Sequence, residues 1–275
     1  RWPLPWLHRL GSMLGWLAYW LSPTYRRRFD AHVAQAEVAP RAARAAVAAA
    51  GRMVSELPKL WLRGAAGLPV RSVGDELIED AFAKGRGLVL LTPHLGCFEI
   101  TAQAFASTHG ARHPITVMYR PARQAWLRKT MEGARDRPGL TAVPADLSGV
   151  RQMMRALKRG DAVGLLPDQV PPEGMGVWAP FFGREAYTMT LAARLVQQSG
   201  ATLLLAWGER LPGGQGYVVH FERCPEPLPS DASAQAESAA VINRAMQRLI
   251  MRCPEQYLWG YHRYKAPRRP AADTS

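Results

Sequence analysis

The chain has 275 residues, 48% of them hydrophobic, and its 35 Lys and Arg against 22 Asp and Glu give a formal charge of +13. That composition excludes a disordered or collagen-like chain and supports one large domain with a real core, while the positive balance suits an anionic membrane, an acidic carrier protein or a nucleic acid. The cysteines Cys97, Cys224 and Cys253 are odd in number and lack metal-ligand spacing, so they read as reduced thiols facing a cytosol rather than a disulfide framework.

Residues 3–21 are apolar, broken by His8 and Arg9, and Arg26-Arg27-Arg28 follow. A spanning helix needs roughly 20 mostly apolar residues, and the uncharged run from Leu10 to Tyr25 falls short of this and contains Gly11 and Gly15. The reading is an interfacial or re-entrant helix, with Trp2, Trp6, Trp16 and Trp20 at a membrane boundary and the arginines against anionic head groups on the cytoplasmic side; a soluble amphipathic helix packed on the domain is the alternative. No small-residue cleavage site follows, so a removable signal is not expected. Residues 1–29 are therefore taken as a membrane-anchoring or interfacial element, 30–265 as a single domain and 266–275 as a flexible tail. Within the domain, the Ala- and Arg-rich residues 38–63 predict a helix, as do Asp75 to Lys84 before Gly85.

Gly87 to Leu91 reads as a buried strand, Pro93 and Gly96 as a tight turn, and Ile100 onward as a helix, which places His94 where strand becomes helix. An imidazole there can take a proton from a hydroxyl, and a carboxylate on its far nitrogen would fix the tautomer. Glu99 is the nearest carboxylate downstream, and the turn at Gly96 lets the two meet; a histidine that only caps the turn is the alternative. Ile115 to Tyr119 reads as the next strand, ending in Arg120 and Arg123, whose guanidinium groups suit phosphate or carboxylate or a structural salt bridge. The charges beyond, Arg128, Lys129 and Arg135, read as a solvated helix face. Leu147 to Arg159 is an amphipathic helix with Met153 and Met154 toward the core, and Ala162 to Leu166 a further buried strand.

This alternation predicts an α/β fold with a mostly parallel central sheet flanked by helices, and a site beyond the carboxyl ends of the strands. His94, Arg120 and Asp168 each follow a strand directly and are predicted to converge. Pro167 to Ala186, rich in Pro, Gly and aromatics, is expected to be a long loop that covers an apolar ligand and excludes water, with Asp168 anchoring an arginine or capping the turn. Residues 187–200 predict a helix. Leu203 to Trp207 and Tyr217 to Phe221 predict an antiparallel pair at the sheet edge, and residues 231–252 a long helix. The aromatics of Pro254 to Lys265 are expected to pack on the sheet.

Thr92-Pro93-His94-Leu95-Gly96-Cys97-Phe98-Glu99 resembles the His-x-x-x-x-Asp/Glu signature of the lysophospholipid and glycerolipid acyltransferase superfamily, and specifically the bacterial lipid A acyltransferases that add secondary lauroyl or myristoyl chains. Val117 to Pro121, Leu166 to Gln169 with Ala179 to Gly183, and Pro254 to Trp259 with His262 to Lys265 fit the same family in the same order. The family more often has Asn-Trp where this chain has Cys97-Phe98. The resemblance implies a glycerolipid acyltransferase-like fold with a membrane-associated amino-terminal helix at the cytoplasmic face of the inner membrane. It implies O-acyl transfer from acyl-(acyl carrier protein) to a hydroxyl of a lipid A precursor, read here as direct, with His94 as general base oriented by Glu99; by the resemblance Arg120 helps to bind the phosphorylated acceptor, and Arg123 and Asp168 are taken as further substrate-binding candidates. No cofactor or metal is expected. Another membrane lipid, a lysophospholipid or aminolipid, is the alternative acceptor, and a Cys97 thiolate a minor alternative nucleophile. Outside this class stand a non-catalytic membrane-associated protein and a nucleic-acid-binding protein; the latter is disfavoured, since the basic residues are dispersed and no nucleic-acid-binding motif is present.

Overall fold

The computed structural model describes residues 2–65, 67–119 and 136–268. Three helices open the chain: α1 (Leu4–Leu21), α2 (Pro23–Gln35) and α3 (Pro40–Arg63). A seven-stranded sheet follows, built from β1 (Val70–Val73), β2 (Leu88–Leu91), β3 (Ile115–Tyr119), β4 (Leu140–Pro144), β5 (Ala162–Leu165), β8 (Thr202–Arg210) and β9 (Tyr217–Arg223) in the order β1-β9-β8-β2-β5-β3-β4. Every neighbouring pair is parallel except β8 with β9. The expected antiparallel pair thus exists but is not at the edge: β8 lies beside β2 in the middle, and β1 covers β9.

Alternate residues of the inner strands feed two cores. Leu88, Leu90, Ala162, Leu204 and Ala206 face α4 (Asp75–Ala83), α5 (Phe98–His109) and the end of α3. Val89, Leu91, Val163, Leu165 and Leu205 face α6 (Leu147–Lys158), α7 (Leu191–Ser199) and α8 (Gln235–Arg252). Burial on both faces explains why β2 and β5 read as continuous apolar runs, each fully buried Leu stabilising by about 2 kcal/mol. The stretch expected as a loop contains a hairpin, β6 (Gly176–Phe181) and β7 (Arg184–Met189), whose two-residue turn has positive φ at Phe182 and Gly183. The helix then starts at Leu191.

No helix among the described residues is long and apolar enough to cross a membrane. Instead α1 lies against α3 by a glycine contact so close that a Cβ on Gly51 would sit 1.9 Å from the Gly11 carbonyl oxygen. Leu4, His8, Gly11 and Gly15 form its buried face, while Trp6, Leu10, Met13, Leu14, Leu17, Trp20 and Leu21 are exposed.

Candidate active site

His94 leaves the carboxyl end of β2 on a turn bonded on both sides. Its carbonyl accepts from the Leu258 N–H, the Gly96 N–H donates to the Gln256 carbonyl (3.0 Å), and the Cys97 N–H donates to the Gly208 carbonyl (2.8 Å). Gly96 has φ +59°, and a Cβ there would meet the Gly208 oxygen at 1.9 Å, so glycine is required for the turn to approach β8. The segment Pro254 to Trp259, marked in the sequence by its aromatics, is therefore part of the frame of the site.

The imidazole is held from both edges. Asp168, just past β5, accepts the His94 backbone N–H on Oδ2 (2.9 Å) and approaches ring Nδ1 with Oδ1 (2.8 Å). Its carboxyl lies below the usual range: burial would raise it, but the charge and hydrogen bonds of His94 outweigh that. An ionised carboxylate only accepts, so Nδ1 carries the proton and Nε2 keeps the lone pair. The Gln169 amide donates to that lone pair at 2.9 Å. Phe98, opening α5, packs beside the ring with centroids 4.7 Å apart.

Both ring nitrogens are thus taken, and neither partner is Glu99. Glu99 is in the first turn of α5, half-buried, and borders the same cavity as His94 and Gln169. Asp168 holds the catalytic candidate itself, which differs from both roles considered for it. Arg263, buried and bonded to the Tyr187 carbonyl and Thr188 hydroxyl, adds a positive charge that also favours ionised Asp168. Arg120 and Arg123 lie outside the described residues. Local spacing pointed to the nearest carboxylate, whereas the observed partner is 74 residues away.

The cavity beside His94, of about 290 Å³, lies between α5 and the sheet, with walls from Leu90, Ile115, Val117, Gly164 and Ala206. Its lining is mainly apolar, and the absent side chain at Gly164 leaves its floor open toward β3. Cys97 points elsewhere: it is 1% exposed, and burial together with nearby Glu56 pushes its thiol well up, so it is not a thiolate.

Beneath the turn is a buried network that the sequence did not reveal. The Arg210 guanidinium donates to both carboxylate oxygens of Glu56 and to the Gly96 carbonyl (3.0 Å). Glu56 also accepts from Tyr217 (2.9 Å) and bonds His8 (3.0 Å). Burial would raise the Glu56 carboxyl, but Arg210 holds it down to about 2. Glu56 and Arg210 are 154 residues apart, one in an Ala-rich helix and one at a strand end, and neither pattern announces the other.

The chain is thus an α/β protein with a carboxylate-held imidazole at a strand end that opens on a mainly apolar cavity. Residues 2–266 match the family described as bacterial lipid A biosynthesis acyltransferase, and the chain belongs to that family. It is 32% identical over 196 residues to the lipid A biosynthesis lauroyltransferase of Escherichia coli K12, across 70% of this chain and 61% of that protein. Identity to the palmitoleoyltransferase of the same organism is 28% over 203 residues, across 74% and 63%. A lipid A biosynthesis acyltransferase of Haemophilus influenzae is 24% identical over 187 residues, across 68% and 56%. The matches span about three fifths of the length of these relatives.

Proposed function

We propose that the protein transfers a fatty acyl chain from acyl-(acyl carrier protein) to a hydroxyl of a lipid A precursor at the cytoplasmic face of the inner membrane. The observation that carries this reading is the Asp168–His94–Gln169 line at the mouth of an apolar cavity, in a chain of this family. His94 Nε2 accepts the proton of the acceptor hydroxyl as its oxygen attacks the thioester carbonyl, and Asp168 fixes the ring and stabilises the imidazolium. Gln169 gives way to the hydroxyl, and its amide is then a donor near the developing oxyanion. The oxyanion collapses, expels the carrier thiolate, and His94 returns the proton to that sulfur. No acyl-enzyme is required, consistent with the un-ionised Cys97. Glu99, at the cavity wall, is retained as the second carboxylate of the site, and Arg120 and Arg123 as candidates for holding the acceptor's phosphates.

The cavity takes the acyl chain, and the exposed apolar face of α1 rests in the membrane surface. Supplying a mixed-length acyl carrier protein pool and membrane lipid extracts tests the reading by mass spectrometry. A new acylated lipid A species is expected from the wild type and not from His94→Ala or Glu99→Ala. A product on a lysophospholipid or aminolipid would move the acceptor; equal product from all three proteins would remove the site.

A further inference from the structure

The buried network beneath the His94 turn takes no part in the proton transfer, yet it is bonded directly to that turn. The Gly96 peptide is gripped at both ends: its N–H donates to the Gln256 carbonyl (3.0 Å), and its carbonyl accepts from Arg210 Nη2 (3.0 Å). Gln256 and Arg210 are paired in turn. Gln256 Oε1 accepts the Arg210 backbone N–H (2.9 Å), and the Gln256 amide donates to the Arg210 carbonyl (3.0 Å). Gly96 lies two residues from His94, so the frame that fixes this peptide also sets how the imidazole leaves the turn.

The guanidinium is held on its other edge by α3. Nε (2.9 Å) and Nη2 donate to the two Glu56 oxygens as a fork, and the second hydrogen of Nη2 serves Gly96. Glu56 Oε2 also takes the Tyr217 hydroxyl at the start of β9 (2.9 Å) and bonds His8 Nε2 (3.0 Å). An ionised carboxylate only accepts, so Nε2 is the protonated nitrogen of His8. His8, Glu56 and Arg210 are 6, 0 and 4% exposed, so the bonds between them run where water does not weaken them. His8 belongs to the buried face of α1, and the Gly11–Gly51 contact brings that helix close enough for the side chain to reach Glu56. One unbroken line of hydrogen bonds thus joins α1 to the turn that carries His94.

We propose that His8, Glu56 and Arg210 are positioning residues, which carry the seating of α1 on α3 to the Gly96 peptide and so hold His94 in line with Asp168. This rests on His94 being the base of the acyl transfer. The helix whose outer face meets the membrane surface is then part of the catalytic frame as well as an anchor, and its displacement from α3 loosens the base.

Two readouts on the full chain test this. Ring ¹⁵N signals of His94, assigned by their loss in His94→Ala, report its tautomer without turnover, and steady-state acyl transfer separates kcat from KM. Arg210→Lys keeps the charge opposite Glu56 but loses the fork. His8→Ala leaves the Arg210–Glu56 pair whole, and carries the test if Arg210→Lys fails to fold. Both should turn the single Nδ1-protonated ring into a mixture of tautomers. Since a displacement of about an ångström costs up to about 10² in rate, kcat should fall about 10²-fold in Arg210→Lys and about tenfold in His8→Ala, with KM within a few-fold. His8→Gln, whose amide can donate to Glu56, should restore both readouts to within about threefold of the wild type. Lys59→Ala removes another tie between α3 and α1, the exposed bond to the Trp2 carbonyl (3.1 Å), and should match the wild type. Wild-type ring signals and turnover in folded Arg210→Lys would overturn the positioning role. An unchanged His8→Ala beside an impaired Arg210→Lys would overturn the link to α1, and losses in Lys59→Ala equal to those in His8→Ala would overturn the part given to His8. Ring signals that respond as expected in a chain whose wild type transfers no acyl group would support the positioning and sink the acyl-transfer reading instead.

Discussion

Asp168→Asn probes the geometry of the site with almost no change in volume. The carboxylate accepts two N–H groups, from the His94 backbone (2.9 Å) and from ring Nδ1 (2.8 Å). An asparagine has one acceptor oxygen, so with the backbone bond kept, its NH₂ faces Nδ1. The ring then carries its proton on Nε2, where it cannot act as a base. Loss of the correct tautomer in a carboxylate-histidine pair costs about 10⁴ in the serine protease case, and general-base catalysis as a whole about 10² to 10⁴. We therefore expect kcat for acyl transfer to fall by about 10³, which is about 4 kcal/mol of barrier, with KM for both substrates within a few-fold. Steady-state transfer from a purified acyl carrier protein thioester measures this, with thermal melting as the check on folding. Turnover within threefold of the wild type in a folded Asp168→Asn protein would refute the assignment.

Other consequences follow from the same geometry. Gly164→Leu fills the cavity floor, where even a Cβ would come within 3.1 Å of Val117, so the preferred acyl chain should shorten by two or three methylenes in a mixed-pool competition. Each methylene denied its site is worth about 0.8 kcal/mol, about fourfold in selectivity. Cys97→Ala should retain turnover in the same assay, since a buried, protonated thiol takes no part. Glu56, held down to about 2, stabilises the fold fully above the usual carboxylate range, and the contribution is lost as pH falls toward 2. Acid unfolding should therefore lose a component in Glu56→Gln, which should also destabilise by about 3 to 5 kcal/mol at neutral pH by leaving Arg210 buried and unpaired. A denaturant titration at two pH values reads both effects.

What the sequence made legible was local. β2, β3 and β5, the helices that follow Asp75 and Leu147, and the turn bearing His94 all declare themselves through apolar runs, periodicity and turn residues within about a dozen positions. β1 was not legible, because Val70–Val73 is short, alternates in burial and exists as a strand only by pairing with β9. Strand order was not legible either: nothing in Leu203 to Trp207 says that it adds to β2 rather than lying at an edge. The hairpin left one signal, Phe182-Gly183 between two runs of similar length, masked by the surrounding prolines and glycines. At the site, the place of His94 at a strand end was legible, whereas its observed partner Asp168 comes from another strand end that only the sheet brings near.

A single-turnover reaction of labelled acyl thioester with a lipid A precursor, run with wild type and with folded His94→Ala, tests the role of His94. Transfer without a labelled protein intermediate is expected in the wild type, and at least a thousandfold slower transfer in His94→Ala, in line with loss of a general base. Undiminished transfer by His94→Ala, or labelled protein that passes its acyl group to the acceptor, would contradict it.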